Sequence, residues 1–328
     1  MDTVVVGAGS WGTALACVLC RNSHRVTLWG RDADQLAHMA KERRNQRYLP
    51  GLKLPESLQF TSDLAAAIAA LPKDAPSLIV TVVPSHTTRQ VMGQVAHLIP
   101  PQAILVTASK GIENETLATM VEVLEQVLPA ALHDRIAVLS GPSFAGETIE
   151  QHPTAVVVAA KDRQIAEAVQ RAFQVGSFRV YTSDDVVGVE IGGAAKNVIA
   201  LACGMADGLG FGHNTRAAVI TRGLAEITRL GVRMGANPLT LAGLAGMGDL
   251  VLTCNGPQSR NRTAGYLLGQ GKTLPQVLTE MKQIAEGIKT TRSVRDLAAR
   301  VGVEMPISAA IYRVLYEDHP VGQVMTDL

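Results

Sequence analysis

The chain has 328 residues, of which 47% are hydrophobic, 18% are charged and only 4% are aromatic, and its formal net charge is +1. This composition is that of a globular protein long enough for one large or two medium domains. The near-neutral charge gives no broad basic field, which argues against nucleic acid or an anionic membrane as the partner.

The first half of the chain alternates short β-rich runs with helical segments. Strands are predicted at TVVVGAG, RVTLWGR, LIVTVVPS, AILVTASKG, RIAVLSGPSF, TAVVVAA and FRVYTS, and helices at SWGTALACVLCRN, SDLAAAIAAL and ETLATMVEVLEQVL. This alternation is typical of a doubly wound α/β sheet.

From about residue 184 the strand pattern stops and only helical segments follow. They are predicted at 186–208, 215–230, 241–254 (as a broken segment), 258–269, 274–282, 290–301 and 308–316, with glycine and proline between them. The sequence therefore predicts two domains, residues 1–183 with the sheet and residues 184–328 with helices alone.

The four cysteines are Cys17, Cys20, Cys203 and Cys254, and the first two form a C-x-x-C in an apolar helical run. No second pair or histidine partner is nearby, which favours buried thiols in a reducing compartment over a metal site. The uncharged stretch 4–20 lacks the basic start of a signal peptide, and we expect that no other stretch comes close to a transmembrane span. We expect a cytoplasmic protein without a bound metal.

The run VVVGAGSWGTALA places Gly7, Gly9 and Gly12 in a G-x-G-x-x-G pattern between the first strand and the first helix. Gly7 permits a tight turn, Gly9 lets a pyrophosphate approach the backbone, and Gly12 allows close packing of helix on strand. The helix N-terminus adds N–H donors and a positive dipole end. In this position the pattern predicts a dinucleotide site.

The end of the second strand indicates which dinucleotide is bound. An NAD site usually has Asp or Glu there for the ribose hydroxyls, but LWGRD has Arg31 followed by Asp32. A guanidinium suits a 2′-phosphate through paired charge-assisted hydrogen bonds. The sequence favours NADP(H) and leaves NAD(H) possible.

Lys196 is the one lysine in the stretch EIGGAAKNVIALACGMADGLG, which is predicted to be helical and consists mostly of small, apolar residues. Burial of an unpaired ammonium is costly, so this lysine lies either on a solvated face or in a cleft where it has a function. In a cleft, burial and a neighbouring cation would lower the pKa of Lys196, whereas a carboxylate or a phosphate dianion would raise it.

Three further stretches combine glycine with cations and small polar side chains. They are ASKGIE with Lys110, SGPSFAGE with Gly141 and Ser143, and GMGDLVLTCNGPQSRNR with Asp249, Thr253, Ser259, Arg260, Asn261 and Arg262. Ligands of doubly wound sheets bind beyond the carboxyl ends of the strands. Together these groups predict a site for a small phosphorylated substrate.

The chain resembles the bacterial-type NAD(P)-dependent glycerol-3-phosphate dehydrogenase family. The resemblance is carried by GAGSWGTALA, YLPGLKLP, ASKGIE, SGPSFAGE, EIGGAAKNVIALACGMADGLGFGHNTRAA, GLAGMGDLVLTC, SRNR and AEGIKTT, which occur in family order between Gly7 and Thr291. It implies an N-terminal Rossmann domain, an all-helical C-terminal domain like that of 6-phosphogluconate dehydrogenase, and a homodimer. The implied reaction is the reversible reduction of dihydroxyacetone phosphate to sn-glycerol 3-phosphate, which supplies glycerophospholipid synthesis.

The resemblance also implies a role for individual residues. Lys196 would be the catalytic proton donor, and Lys110 would contact both substrate and cofactor. The implied substrate contacts are these two lysines with Gly141, Ser143, Asp249, Ser259, Arg260 and Asn261, and Asn197 and Thr253 are further candidates. The implied cofactor contacts, beside the three glycines and Lys110, are Ser10, Trp11, Arg31, Tyr48, Ala145, Arg260, Ile284 and Glu286.

Two other interpretations remain open from the sequence. A dehydrogenase of the same two-domain architecture that acts on a small hydroxy acid would also have a helix-borne lysine, although SRNR with GMGDL fits a phosphate ester better than a carboxylate. A non-catalytic NADP(H)-binding sensor would keep the glycine pattern but would need neither Lys110 nor Lys196.

Overall fold

The computed structural model describes residues 1–281 and 285–328, which form two compact units. The sheet unit comprises Met1–Ser109 and Met120–Val186, and the helical unit comprises Lys110–Thr119 and Val187–Leu328. The predicted fold class, a Rossmann-type sheet followed by an all-helical region, is confirmed.

The strands of the sheet unit form one sheet. In the described residues they are β1 (Asp2–Val6), β2 (Arg25–Trp29), β3 (Gln59–Thr61), β4 (Ser77–Thr81), β5 (Ala103–Thr107), β6 (Ile136–Ser140), β7 (Thr154–Ala160) and β8 (Phe178–Ser183). Their order is β3-β2-β1-β4-β5-β6-β7-β8, and neighbours are parallel except β6 and β7. Val6 is level with Trp29 and Thr81, so the carboxyl ends of three central strands lie side by side.

Helices cover the sheet between these strands. They are α1 (Ser10–Arg21), α2 (Ala33–Glu42), α3 (Leu64–Ala69), α4 (Thr88–Val95), α5 (Met120–Val127), α6 (Ala145–Ile149) and α7 (Arg163–Phe173), with short 3₁₀ turns at Ser85–Thr87, Ala96–Leu98 and Ala130–Arg135.

Hydrophobic pattern explains the positions of the strands. All residues of β4, β5 and β6 are buried, as expected for parallel strands covered on both faces. The edge strand β8 instead alternates buried Phe178 and Val180 with exposed Arg179 and Tyr181. The core of this unit includes Val5, Leu28, Val80 and Val106 together with buried residues of α1 and α7.

The helical unit contains α8 (Val186–Gly208), α9 (His213–Arg233), α10 (Pro238–Ala242), a π-helical turn at Leu244–Gly248, α11 (Asp249–Asn255), α12 (Arg260–Gly269), α13 (Leu274–Glu280), α14 (Glu286–Val301), α15 (Pro306–Tyr316) and α16 (Val321–Thr326). Within the described residues its apolar core surrounds α8, whose residues Ala194 to Ala206 are all buried.

Glycines bring α8 and α12 into backbone contact. A Cβ at Gly204 would overlap the carbonyl oxygen of Arg262, and a Cβ at Gly265 would overlap that of Leu201. Gly208 and Gly269 meet further along the same two helices. The spacing between α8 and α12 is therefore set by main-chain atoms.

The structure corrects three details of the predicted elements. The helix predicted over ETLATMVEVLEQVL starts only at Met120, because Ile112 pairs with Thr119 and the intervening residues close a loop. Strand β3 was not predicted, because its three residues are too few to show a hydrophobic pattern. Helix α16, which follows the last predicted helix, was not predicted either. The broken segment is resolved into α10, the π-helical turn and α11.

By length and composition α8 could cross a membrane, which corrects the expectation that no such stretch is present. Its most apolar 18-residue window is 94% buried inside the protein, as in the core helix of a globular unit.

Candidate active site

The glycine loop, residues 7–12, connects β1 to α1. Gly7 has φ +130°, and a Cβ there would lie 2.8 Å from the carbonyl oxygen of Val82. A Cβ at Gly12 would overlap the carbonyl oxygen of Gly7, whereas one at Gly9 would meet no atom within 4 Å. Two glycines therefore pack the loop, and Gly9 leaves open space beside the backbone.

The loop fits an anionic dinucleotide. Gly9 caps α1 without a side-chain acceptor, and the first turn, which holds Ser10 and Trp11, has no acidic residue. The indole Nε1 of Trp11 is buried and has no hydrogen-bond partner among the described residues. Unpaired N–H groups at a helix N-terminus bind phosphate.

Asn45, which the sequence analysis missed, supports the glycine loop. It is fully buried, and its Nδ2 donates to the carbonyl oxygen of Ala8 at 3.1 Å and to Oγ1 of Thr13 at 2.9 Å. Its Oδ1 accepts from Gln35 at 3.3 Å. No local pattern could identify this residue, because its partners lie 32 and 37 positions away.

Arg31 and Asp32 at the end of β2 have separate environments. Arg31 is exposed, and no residue in the described part of the chain forms an ion pair with it. Asp32 caps α2 by accepting from the Gln35 backbone N–H, and it pairs with Arg47 at 3.4 Å. Tyr48 follows and is half-buried, with the Arg47 guanidinium 5.3 Å from its ring centre.

Gly141, Ser143 and Ala145 follow β6 in the sheet unit. Gly141 has φ +140°, and a Cβ there would lie 2.9 Å from Cα of Val156. The Ser143 hydroxyl donates to the Gly141 carbonyl oxygen at 3.0 Å, and Ala145 begins α6. The segment is a tight turn with a half-exposed hydroxyl at the carboxyl end of a strand.

In the helical unit, Lys110, Lys196, Asp249 and Thr253 form a cluster that we call the lysine centre. The Lys196 ammonium on α8 donates to Asp249 Oδ1 and, at 2.8 Å, to Oγ1 of Thr253. Lys110 donates to the other carboxylate oxygen, Oδ2, at 2.6 Å. The side chains of Lys196 and Asp249 are 7% and 1% exposed, so two ammonium groups share one buried carboxylate.

Burial and charge set the pKa values in the lysine centre. Desolvation lowers the pKa of Lys196 to about 8, with Lys110 acting in the same direction and Asp249 opposing both. For Asp249, burial alone would raise the pKa, but the two ammonium groups outweigh it and hold that pKa below its usual value. Lys196 can therefore gain and lose a proton near neutral pH.

A buried amide network adjoins Lys196. Asn261 on α12 donates from Nδ2 to Asn197 Oδ1 at 2.9 Å, and its Oδ1 accepts from the backbone N–H of Gly287 at 2.9 Å. A Cβ at Gly287 would lie 2.7 Å from the Asn197 carbonyl oxygen. The sequence analysis missed Gly287, which ties the start of α14 to α8 and α12.

The remaining predicted residues lie at helix starts. Ser259 is buried and caps α12 by accepting from the Arg262 backbone N–H at 3.2 Å. Arg260 is exposed in the first turn of α12, and Glu286 begins α14. Ile284 lies outside the described residues.

The structure thus brings Lys110, Lys196, Asp249 and Thr253 into direct contact and joins Asn197 to Asn261. The glycine loop, Arg31, Tyr48, Gly141, Ser143 and Ala145 belong to the sheet unit.

The cysteines are free, and burial raises the pKa of Cys17 to about 12. Cys20 is only half-buried. Residues 1–281 and 285–328 contain no group of three or more His, Cys, Asp or Glu arranged to hold a metal ion.

Comparison with known proteins gives one consistent family. The sequence profile described as NAD-dependent glycerol-3-phosphate dehydrogenase N-terminus matches residues 2–166, and the corresponding C-terminus profile matches residues 185–326. A glycerol-3-phosphate dehydrogenase (NAD(P)+) of Geobacter sulfurreducens is 56% identical over 324 residues, which is 99% of this chain and 95% of the relative. The enzyme of the same name from Geobacter sp. strain M21 is 53% identical over equal coverage.

A solved structure agrees with these relatives. The crystal structure of glycerol-3-phosphate dehydrogenase from Coxiella burnetii superposes with a TM-score of 0.92 at 39% identity, covering 99% of this chain and 98% of that one. The resemblance found in the sequence is therefore confirmed, and the chain belongs to the NAD-dependent glycerol-3-phosphate dehydrogenase family.

Proposed function

We propose that the lysine centre performs the proton transfer of this enzyme, with Lys196 as the donor. As a member of its family, the chain is an oxidoreductase that reduces dihydroxyacetone phosphate to sn-glycerol 3-phosphate with NAD(P)H and also runs the reverse reaction. The observation that carries the proposal is the buried contact of two lysines with one aspartate.

Reduction of a ketone requires a hydride at carbon and a proton at oxygen. The reduced nicotinamide supplies the hydride when it is bound. Lys196, with its pKa lowered to about 8, is protonated at neutral pH yet yields its proton more readily than an exposed lysine. In the oxidation of glycerol 3-phosphate, the neutral amine takes the proton back.

Asp249 and Thr253 hold Lys196 in one orientation. Two of the three ammonium N–H groups of Lys196 are engaged by these partners, which leaves one for the substrate oxygen. The Asp249 carboxylate also pairs with both ammonium groups and opposes the lowering of the Lys196 pKa that burial causes. A fixed donor avoids reorganisation as negative charge develops on the oxygen.

Lys110 and Arg260 would bind the anionic parts of the substrate. Lys110 is 17% exposed by side chain and carries a second positive charge next to Lys196. Arg260 is exposed at the start of α12, where a guanidinium can make paired hydrogen bonds to a phosphate. Ser259 and Asn261 flank it, and we assign Gly141 and Ser143 to substrate contacts from the sheet unit.

The glycine loop would bind the cofactor pyrophosphate through Gly7, Gly9, Ser10, Trp11 and Gly12. The open space at Gly9 and the uncapped start of α1 support this assignment. Further cofactor contacts are assigned to Arg31, Tyr48, Lys110, Ala145, Arg260 and Glu286, and Ile284 remains a prediction from the family resemblance.

We favour NADP(H) over NAD(H) as the preferred cofactor. Asp32, the acid that could read ribose hydroxyls, already caps α2 and pairs with Arg47. Arg31 is exposed, and the described residues offer it no ion-pair partner. An exposed guanidinium at this point of the fold suits a 2′-phosphate.

The broader assignments complete the proposal. Residues 1–183 would form the NAD(P)-binding domain and residues 184–328 the substrate-binding and catalytic domain, with Lys110–Thr119 packing with the latter. The family resemblance supports a cytoplasmic homodimer without a metal ion that supplies glycerophospholipid synthesis.

The first experiment offers dihydroxyacetone phosphate to the purified protein with NADPH and, separately, with NADH, and follows the absorbance of the reduced nicotinamide. Oxidation that requires dihydroxyacetone phosphate supports the reaction, and a higher kcat/KM with NADPH supports the cofactor preference. Oxidation with a small keto acid but not with the phosphorylated ketone would contradict the substrate assignment.

A further inference from the structure

The segment Lys110–Thr119, here called the Lys110 loop, packs with the helical unit although its neighbours on both sides belong to the sheet unit. Ile112 is 4% exposed within the apolar core of the helical unit, and Leu117 packs against that core. The loop therefore depends on the helical unit for its position.

The loop is closed on itself by hydrogen bonds. Ile112 and Thr119 form an antiparallel bridge, and Glu113 N–H donates to the Ala118 carbonyl oxygen at 2.9 Å. The Thr116 hydroxyl donates to the buried carboxylate of Glu113 at 2.6 Å. Leu117 adopts φ +59°, a conformation that a non-glycine residue rarely takes without support from its surroundings.

Arg300 forms two hydrogen bonds to the backbone of this loop. It lies near the end of α14, and its Nη1 donates to the Thr116 carbonyl oxygen at 3.1 Å while its Nη2 donates to that of Leu117 at 3.3 Å. A planar guanidinium that bonds two consecutive carbonyls fixes both the position and the direction of the backbone. The contact includes the residue with the unusual φ angle.

Lys110 stands at the other end of the same loop, with its ammonium 2.6 Å from Asp249 Oδ2. Arg300 itself has no hydrogen bond to Lys196, Asp249 or Thr253 among the contacts of the described residues. The two hydrogen bonds of Arg300 therefore connect it to the lysine centre through the loop that carries Lys110.

We propose that Arg300 is a positioning residue for Lys110: its two hydrogen bonds to the Lys110 loop hold that lysine in register with Asp249 and the substrate. The inference rests on the proposed role of Lys110 in substrate binding. It assigns Arg300 no contact with substrate or cofactor.

The test is a double-mutant cycle between Arg300→Ala and Lys110→Met, measured as kcat/KM for dihydroxyacetone phosphate. We expect Arg300→Ala to lower kcat/KM about tenfold, mostly by raising KM. This loss is smaller than the ~10²-fold loss that a displacement of about 1 Å can cause. In the Lys110→Met background the same change should cost less than about twofold, because no lysine remains to be positioned. Arg300→Lys, which can keep one of the two bonds, should fall between.

Arg292→Ala is the matched control. Arg292 lies exposed on the same helix, and its ion-pair partner Asp296 is on its own helix at 3.9 Å. Its removal should leave kcat/KM within about twofold of wild type, as for most surface substitutions. Hydrogen exchange should accelerate in residues 110–119 of the Arg300→Ala protein and not elsewhere in the helical unit.

Four results would overturn the inference. An equal loss from Arg300→Ala with and without Lys110, or faster exchange throughout the helical unit, would make Arg300 a general stabilising residue. Unchanged kcat/KM in Arg300→Ala would remove its role while leaving the proposed function intact. Unchanged kcat/KM in Lys110→Met would refute the proposed role of Lys110 and, with it, any need for a residue that positions it.

Discussion

The glycine loop is defined by its backbone, whereas the lysine centre is defined by side chains. The loop consists of six consecutive residues. Two of its glycines are needed because main-chain atoms occupy the place of a Cβ, those of Val82 at Gly7 and those of Gly7 at Gly12. The lysine centre consists of side chains drawn from distant parts of the chain, with Lys110 and Asp249 separated by 139 positions.

This difference separates two kinds of specificity. Backbone N–H groups recognise a phosphate whatever is attached to it, which suits a loop that binds a common cofactor. Side chains can adjust one another's proton affinity, as Asp249, Lys110 and burial do for Lys196. In the proposed function, the chemistry is therefore concentrated in the helical unit, and the glycine loop contributes cofactor binding.

The largest effect should come from Lys196→Ala, which removes the proton donor without touching the glycine loop. We expect kcat to fall about 10³-fold, within the ~10²–10⁴-fold range of general acid catalysis. Cofactor affinity, measured by quenching of protein fluorescence or by calorimetry, should change less than about threefold. A variant that still turned over at the normal rate would exclude Lys196 as the donor.

Two substitutions in the glycine loop should give opposite outcomes. Gly12→Ala forces a Cβ into the Gly7 carbonyl and should lower the free energy of unfolding by about 3 kcal/mol, the upper range for overpacking. Gly9→Ala places a Cβ in open space, so it should leave stability within about 0.5 kcal/mol yet weaken cofactor binding about tenfold or more. Denaturant unfolding and cofactor titration of both variants check the pair, and equal stability losses would contradict it.

The pH dependence sharpens the role of the side chains. Because the folded-state pKa of Lys196 is lowered to about 8, kcat/KM for ketone reduction should fall about tenfold per pH unit above that value, as the ammonium is lost. The oxidation of glycerol 3-phosphate needs the neutral amine, so its rate should instead rise with pH until about 8. Initial rates in both directions across the pH range test this mirror-image behaviour.

The same pH dependence should be measured in the Asp249→Asn variant, which removes the carboxylate beside Lys196. Without the carboxylate, burial and Lys110 act on Lys196 unopposed, so both pH limbs should move to lower pH. Removing one partner of a buried ion pair should also cost about 3–5 kcal/mol of stability. Thr253→Val removes a hydrogen-bond acceptor of the Lys196 ammonium but no charge, so the midpoint should move much less than in Asp249→Asn. An unmoved midpoint in Asp249→Asn would mean that another group titrates.

The smallest effect concerns Arg31 at the edge of the cofactor region. Arg31→Ala should lower kcat/KM with NADPH about tenfold, the value of one charge-assisted hydrogen bond of ~1.5 kcal/mol, and change the value with NADH less than about twofold. The NADH measurement is the internal control. Equal losses with both cofactors would show that Arg31 does not recognise the 2′-phosphate.

Local pattern predicted the fold and the glycine loop because their determinants are contiguous. The helix at 186–208 and the strands at 154–160 and 178–183 coincide with α8, β7 and β8. Residues of α8 and β7 are mostly apolar, and β8 alternates buried with exposed side chains. The start of α5 was misplaced because the Lys110 loop packs with residues 187–328 and is bonded by Arg300, which lies 184 positions from Thr116.

The roles of the site residues followed from family resemblance, and their energetics did not. Whether Lys196 has a raised or lowered pKa depends on its distance from Asp249 and Lys110 and on its burial, none of which is encoded in spacing. Asn45 and Gly287 act through contacts that join distant segments, so no sequence window contains both partners.

The glycine contact between α8 and α12 also limits how this enzyme can be redesigned. Lys196 is on one of these helices and Arg260 begins the other, and the oxygen atoms of Leu201 and Arg262 sit where larger side chains would have to go. Main-chain contacts therefore fix the distance between the helix of Lys196, the proposed proton donor, and the helix of Arg260, the proposed phosphate ligand. We expect that a library aimed at longer substrates will succeed by exchanging residues at the tip of α12, and that enlarging Gly204 or Gly265 will yield insoluble protein before it yields a new preference.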